Sequence, residues 1–184
     1  MADEWFLDYS RAKLSAHAIR TTAVGPKSEI ATGVIRYIDR PDLLRMKHTD
    51  LAEYRDHVDS GLEVLLVFQN NTLDADGGVT QGRSNGHRAK AGADYLGYTG
   101  PIFFTNDRPE VPNVGAWRGY LDGAAEVLGK DRVGAYGFAN AMDTAIGHAT
   151  YYWQAGRKAE VRVHTNIWQD NNFQPKVGTT TVDR

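Results

Sequence analysis

Gly100-Pro101-Ile102-Phe103-Phe104-Thr105-Asn106-Asp107 decides how the rest of this sequence reads. A turn leads into β-branched and aromatic residues, a run too short for a helix and apolar enough to be buried on both faces, and the run stops at a carboxylate. Such a strand belongs in the interior of a parallel sheet. In α/β barrels and doubly wound sheets, the loops after the C-terminal strand ends build the active site, so Asp107 becomes the first functional candidate.

Working outward, the same pattern recurs. Trp5-Phe6-Leu7-Asp8-Tyr9-Ser10 is an apolar strand closing on Asp8, and Ser15 stands as the N-cap of a helix over 16–23. Gly33 to Ile38 is the second strand. Thr49 or Asp50 caps a helix carrying Leu51, Tyr54 and Val58, and Gly61 stops it. Leu62 to Phe68 is the third strand; it ends at Gln69 and runs into the polar loop Asn70 to Gly78. A third helix, roughly Gln81 to Leu96, places Ala89, Ala93 and Leu96 on one face, although its glycines weaken it. Pro112 reads as a first-turn proline before the core-facing series Trp117, Tyr120, Leu121, Ala124 and Leu128. Arg132 to Gly137 is a fifth strand and Ala139 to Ile146 a short helix. The strands Thr150 to Gln154, Val161 to Gln169 and Val177 to Val182 then follow too closely for full crossover helices.

Eight strands, the early ones separated by helices, predict an α/β fold: a single (β/α)8 TIM-like barrel over residues 1–184, with shortened or missing late helices. An open doubly wound sheet is the alternative, but the missing helices would leave one of its faces uncovered. A chain of 184 residues needs no second domain. The net charge of -2, with no basic face or tail, gives no reason to expect nucleic acid or an anionic membrane as partner. Without cysteine there is no disulfide framework, thiolate zinc site or cysteine nucleophile. The N-terminus reads as lacking a secretory leader, and no apolar run approaches a membrane span. The six histidines show no ligand spacing, so neither a metal nor a cofactor is expected.

The predicted strand ends are Asp8, Tyr37 beside Arg36, Gln69, Asp107, Tyr136, Gln154, Gln169 and Asp183. If the barrel closes, they converge on one mouth, flanked by Trp153 and Trp168. Amides and phenols between tryptophan walls suit a sugar, whose hydroxyls need partners and whose C–H face stacks on an aromatic ring. Paired carboxylates are what glycosidic cleavage requires. A single strand-end aspartate is more often a helix cap or loop hydrogen-bonder, so the set carries more weight than any member.

These segments resemble a glycoside-hydrolase-like domain family of unknown function from actinobacteria and their phages. The resemblance rests on Leu7-Asp8-Tyr9-Ser10, Gly33 to Tyr37, Leu65 to Gln69, Ile102 to Asp107, Val133 to Gly137, Trp153-Gln154, Trp168-Gln169 and Val182-Asp183. That family is similar to the Chalaropsis-type lysozymes, muramidases that cleave the glycan strands of peptidoglycan on a (β/α) barrel. The resemblance implies active-site positions for Asp8, Asp107 and Asp183, with Tyr37, Gln69, Tyr136 and Gln154 lining the cleft. One position departs from the pattern: where the lysozymes end the fourth strand Asp-x-Glu, with the glutamate as proton donor, this sequence has Pro109, and Glu110 follows one residue later.

Two readings follow. In the first, the chain is a muramidase-like glycoside hydrolase on cell-wall glycan, with Asp107 as stabiliser or base, Glu110 as candidate acid, and Asp8 and Asp183 orienting substrate or water. In the second, it is a catalytically silent glycan-binding or structural module of a phage tail tip, touching other virion tail proteins. Both fit a protein made in the cytoplasm and then released at lysis or built into a virion.

Overall fold

A computed structural model describes residues 4–184. Seven strands form one sheet in sequence order: β1 (Phe6–Asp8), β2 (Gly33–Tyr37), β3 (Glu63–Phe68), β4 (Ile102–Asn106), β5 (Val133–Gly137), β6 (Tyr151–Gly156) and β7 (Ile167–Asp170), every neighbouring pair parallel. Five α-helices join them as far as β6: α1 (Ala16–Arg20), α2 (Leu51–Asp59), α3 (Gly78–Leu96), α4 (Val114–Leu128) and α5 (Ala139–Ala145). From β6 to β7 the chain makes only a 3-10 turn at Lys158–Glu160. The last helix is missing, as the close strand spacing requires.

Because successive side chains of a strand point to opposite faces, the sheet sorts its residues into two cores. Ile35, Val67, Phe103, Tyr136, Trp153 and Ala155 pack together on the concave side. Leu7, Val34, Leu66, Phe104 and Ala135 pack on the convex side, against helix residues such as Trp117, Tyr120 and Leu121. Burial on both faces is why the strands are apolar without alternation.

The predicted helices form with the expected caps. The Ser15 hydroxyl accepts from Ala18 N at 3.2 Å, and Asp50 accepts from Glu53 N at 2.9 Å. Pro112 is not a first-turn residue: Asn113 is the cap of α4, accepting from Ala116 N at 2.9 Å. The glycines of α3 serve its packing. A Cβ on Gly82 would overlap the Tyr120 carbonyl, and one on Gly123 of α4 would overlap the carbonyl of Val79. Helix propensity is given up so that two helices can cross at backbone contact.

The predicted eighth parallel strand is corrected. After β7 the chain forms an antiparallel hairpin, β8 (Lys176–Val177) with β9 (Thr180–Thr181), around Gly178 at φ 60°. Asp183 then pairs antiparallel with Asp8, each backbone N–H donating to the other's carbonyl at 2.9 Å, while Asp170 N donates to Arg184 O at 2.7 Å. The segment between β7 and β8 is too short for the crossover that a parallel entry needs, so the chain doubles back. The fold is a partial TIM-like barrel of seven parallel strands, not a full (β/α)8, and its C-terminal residues bridge β7 and β1.

Candidate active site

The inward residues at the C-terminal strand ends make the site. Asp8 sits on β1 beside Ile35 of β2, and Tyr37 follows two residues further along β2. Gln69 and Asp107 stand just past β3 and β4, and the Gln69 amide donates to Asp107 Oδ2 at 3.2 Å. Tyr136 on β5 adjoins Gln169 on β7, and Tyr37 adjoins Asp8. Asp183 is delivered by the C-terminal pairing with Asp8 and accepts from Gln174 Nε2 at 2.5 Å. Asp107 and Asp183 are each close enough to Asp8 to act on it electrostatically.

Their environments differ. Asp8 is only 8% exposed, whereas Asp107 is exposed and Asp183 half-buried. Burial, with the negative charge of Asp183 next in weight, pushes the Asp8 carboxyl up to about 7. The Arg36 guanidinium behind the strand pulls the other way, and Asp107 adds to the rise. Burial first, then the neighbouring carboxylates, hold the phenols of Tyr37 and Tyr136 well above their ordinary range, so both stay neutral. Asp8 Oδ1, Thr105 Oγ1 and Gln169 Oε1 are buried polar atoms without a hydrogen-bond partner among the described residues. Such atoms are uncommon in a folded interior, and all three belong to inward positions near the strand ends. The cleft therefore offers a protonated carboxyl, an exposed carboxylate, neutral hydroxyls and free amide capacity to a polar ligand.

Several predicted lining residues lie elsewhere, for one reason: the two-residue period of a strand. Ile35 and Tyr37 face inward, so Arg36 faces outward; it is fully buried, donates to the carbonyl of Tyr9 and to Glu53 Oε2 at 3.2 Å, and stacks 3.9 Å from the Tyr9 ring. Trp153 faces inward, so Gln154 faces outward, where its amide donates to Glu160 O at 2.9 Å and accepts from Arg162 N at 2.9 Å. Gln169 faces inward, so Trp168 faces outward, its Nε1 donating to Gly156 O at 2.9 Å. Trp153 itself, 2% exposed, packs against Tyr136 with ring centroids 4.3 Å apart and against Phe103 at 5.8 Å. It belongs to the floor of the cleft, so neither tryptophan forms a wall.

Glu110 is also separate from the carboxylate group. Its Oε2 accepts from Asn140 Nδ2 at 3.3 Å, in a surface groove shared with Pro109, Phe138, Asp143, Glu160 and Arg162. The residue after Pro109 leaves the strand direction, and its side chain goes with the turn. Among the described residues no group of three His, Asp or Glu side chains is placed to hold a metal ion.

Three site residues escaped the sequence reading. Thr105 lies two positions before Asp107 on the same face, so the strand period was a sufficient signal. Gln174 and Lys47 lie on loops, where no periodicity marks them. Lys47 Nζ donates to the carbonyl of Gln69 at 2.5 Å and sits 5.3 Å from the centroid of the Tyr37 ring.

The fold has close structural likenesses. Two crystal structures of the Mycobacterium tuberculosis Tat-secreted protein Rv2525c align over 97% of this chain. The form in complex with HEPES is 25% identical with a TM-score of 0.80, covering 93% of that chain. The form in complex with L-tartrate is 26% identical with a TM-score of 0.81, covering 92%. An uncharacterized B. stearothermophilus protein shares the fold at 14% identity and a TM-score of 0.69, covering 98% of this chain and 95% of that one. No curated protein matches the sequence. The model of the Rv2525c-like, glycoside hydrolase-like domain matches residues 27–182, taking in every cleft residue except Asp8 and Asp183. By that match, this chain belongs to the Rv2525c-like family of glycoside hydrolase-like domains.

Proposed function

We propose that the protein is a glycoside hydrolase acting on bacterial cell-wall glycan, with Asp8 as proton donor and Asp107 as the exposed carboxyl partner that stabilises or attacks the developing oxocarbenium centre. The family supports a carbohydrate-related role, and the resemblance to Chalaropsis-type muramidases supports peptidoglycan as the glycan. The observation that carries the reading is the contrast between two carboxyls of one cleft. Asp8 is buried, holds its proton up to about pH 7 and has an oxygen without a partner, while Asp107 is exposed and oriented by Gln69. Pairs of acids whose environments differ in this way are how enzymes separate the acid role from the charged role. Asp8 thus takes the place that sequence reasoning had offered to Glu110. Tyr37 adjoins Asp8 and helps to hold its carboxyl, and the neutral Tyr136 hydroxyl, beside Gln169, is left to donate to a sugar oxygen. Asp183, bonded to Gln174, keeps a negative charge near Asp8 and so helps hold its proton.

The test is release of reducing ends from purified peptidoglycan across pH. kcat/KM is expected to fall as pH rises through about 7, where Asp8 loses its proton. Asp8→Asn and Asp107→Asn should each lose about 10²- to 10⁴-fold, the range for a positioned acid–base group, whereas Glu110→Gln should stay within a few-fold of wild type. A Glu110→Gln variant as inactive as Asp8→Asn would overturn the assignment of the acid.

One observation favours a second reading, a catalytically silent glycan-binding or structural module of a phage tail tip. By the resemblance to the muramidases Pro109 stands where their acid is expected, and Glu110 is turned to Asn140. Retained glycan binding by folded wild-type protein, with no release from any wall, is the outcome that selects it.

A further inference from the structure

The cleft carries three carboxyl groups, a poor setting for an anion, yet a lysine is built into its rim. Lys47 lies on the connection between β2 and α2, which is tied back onto the end of β2. Thr49 N donates to Tyr37 O at 2.8 Å, His48 N donates to Arg45 O at 2.9 Å, and Arg45 N donates to His48 Nδ1 at 3.0 Å. His48 and Thr49 are buried, so the backbone on the C-terminal side of Lys47 is anchored. The side chain then runs between two residues of the cleft. Its ammonium donates to the carbonyl of Gln69, whose amide holds Asp107, and sits over the ring of Tyr37, which adjoins Asp8.

This ammonium has no carboxylate partner in an ion pair among the described residues. The nearest acids are engaged: Asp39 by both arms of Arg88, and Asp74 by the backbone N–H groups of Asn70 and Asn71 at 2.7 and 3.2 Å. Arg45 and Arg88 add positive charge to the same rim. An ammonium has three donors, and only one is used inside the protein. A lysine that only covers apolar surface extends its head into water; here the residue is half-buried, and its head lies between the carbonyl of Gln69 and the ring of Tyr37. The free donors point to an acceptor supplied from outside the protein.

We propose that Lys47 is the anion-recognising group of the cleft and receives the carboxylate of an acidic sugar residue, a hexose bearing a carboxylate substituent, on the β2–β3 side of Asp8 and Asp107. The inference rests on the reading of the cleft as a glycan site and narrows it to glycans with a free carboxylate at that position. Mixed charge gives the site its selectivity: the carboxylates repel an anion at the reacting centre, and Lys47 accepts one only at the rim. A charge-assisted hydrogen bond of this type distinguishes an anion from its neutral amide.

The experiment is NMR titration of the folded protein with N-acetylmuramic acid, its carboxamide and N-acetylglucosamine. Wild type should bind the acid about 10-fold more tightly than the carboxamide at low salt, with the preference shrinking as salt is raised. Lys47→Met should erase the difference between acid and carboxamide, and Lys47→Arg should keep the preference. Equal affinity of wild type for acid and carboxamide, persistence of the preference in Lys47→Met, or no binding of any of the three would each overturn the proposal. The reducing-end assay separates the two claims: a preference without hydrolysis leaves Lys47 standing and sinks the enzyme, and hydrolysis without a preference does the reverse.

Discussion

Asp8 shows how one side chain trades stability for chemistry. Its carboxyl has an ordinary value of 3.8 in the unfolded chain and about 7 in the folded protein. Between those values the folded state binds more protons, so stability falls as pH rises from about 4 to 7 and levels off above. A shift of that size corresponds to a few kcal/mol at most, on the order of 1.4 kcal/mol for each pH unit. Asp8→Asn, which cannot ionise, should therefore have nearly the wild-type melting temperature at pH 4 and a higher one at pH 8. Thermal melts over that range are the check, and a constant difference at all pH values would show that Asp8 ionises without strain. The buried network behind the strand has another role. Arg36 joins Tyr9 and Glu53 and lowers the Asp8 value from outside the cleft, without contact with a ligand.

At the scale of elements, α3 and α4 cross closely enough for main chain to meet main chain. Alanine is the better helix former by about 1 kcal/mol, so propensity alone says that Gly82→Ala stabilises the protein. The Tyr120 carbonyl lies where the new methyl would go and, being backbone, cannot rotate away. The expected outcome is a net loss of about 1–3 kcal/mol from overpacking. Gly115 in the first turn of α4 supplies the control: a Cβ there meets only Asn113 Oδ1, at 3.4 Å. Gly115→Ala should be neutral or gain up to about 1 kcal/mol. Chemical denaturation of the two variants measures both effects, and equal gains would mean that the helices can move apart.

For the molecule as a whole, the question is how a barrel lacking an eighth parallel strand holds its first and last strands together. Arg184 ties the seam. It donates to Val24 O at 2.8 Å and Asp170 Oδ2 at 3.2 Å, and its guanidinium lies 3.9 Å from the Phe173 ring and 4.7 Å from that of Trp5. Arg184→Ala should cost about 1–3 kcal/mol through lost packing as well as lost hydrogen bonds. Because the same segment carries Asp183 to Asp8, this variant should also weaken glycan binding, which titration alongside the melt would reveal. Unchanged stability would mean that the backbone pairs of Asp8 and Asp170 close the seam unaided.

Strand and helix identities were legible from residues 6 to 145 because apolar runs, caps and helical spacing are local. So was the convergence of Asp8, Asp107, Tyr37, Gln69 and Tyr136, because parallel strands put their C-terminal ends at one side. The outward turn of Arg36, Gln154 and Trp168 was latent in the two-residue strand period, but it needed the register that only neighbouring strands impose. The antiparallel return of the C-terminus, the diversion of Glu110 to Asn140 and the arrival of Lys47 beside Tyr37 were decided by the tertiary structure. Loops take their course from what they pack against, and no pattern of nearest neighbours encodes that. The proton on Asp8 belongs to the same class, since burial and the charge of Asp183, 175 positions away in the chain, exist only once the barrel has formed.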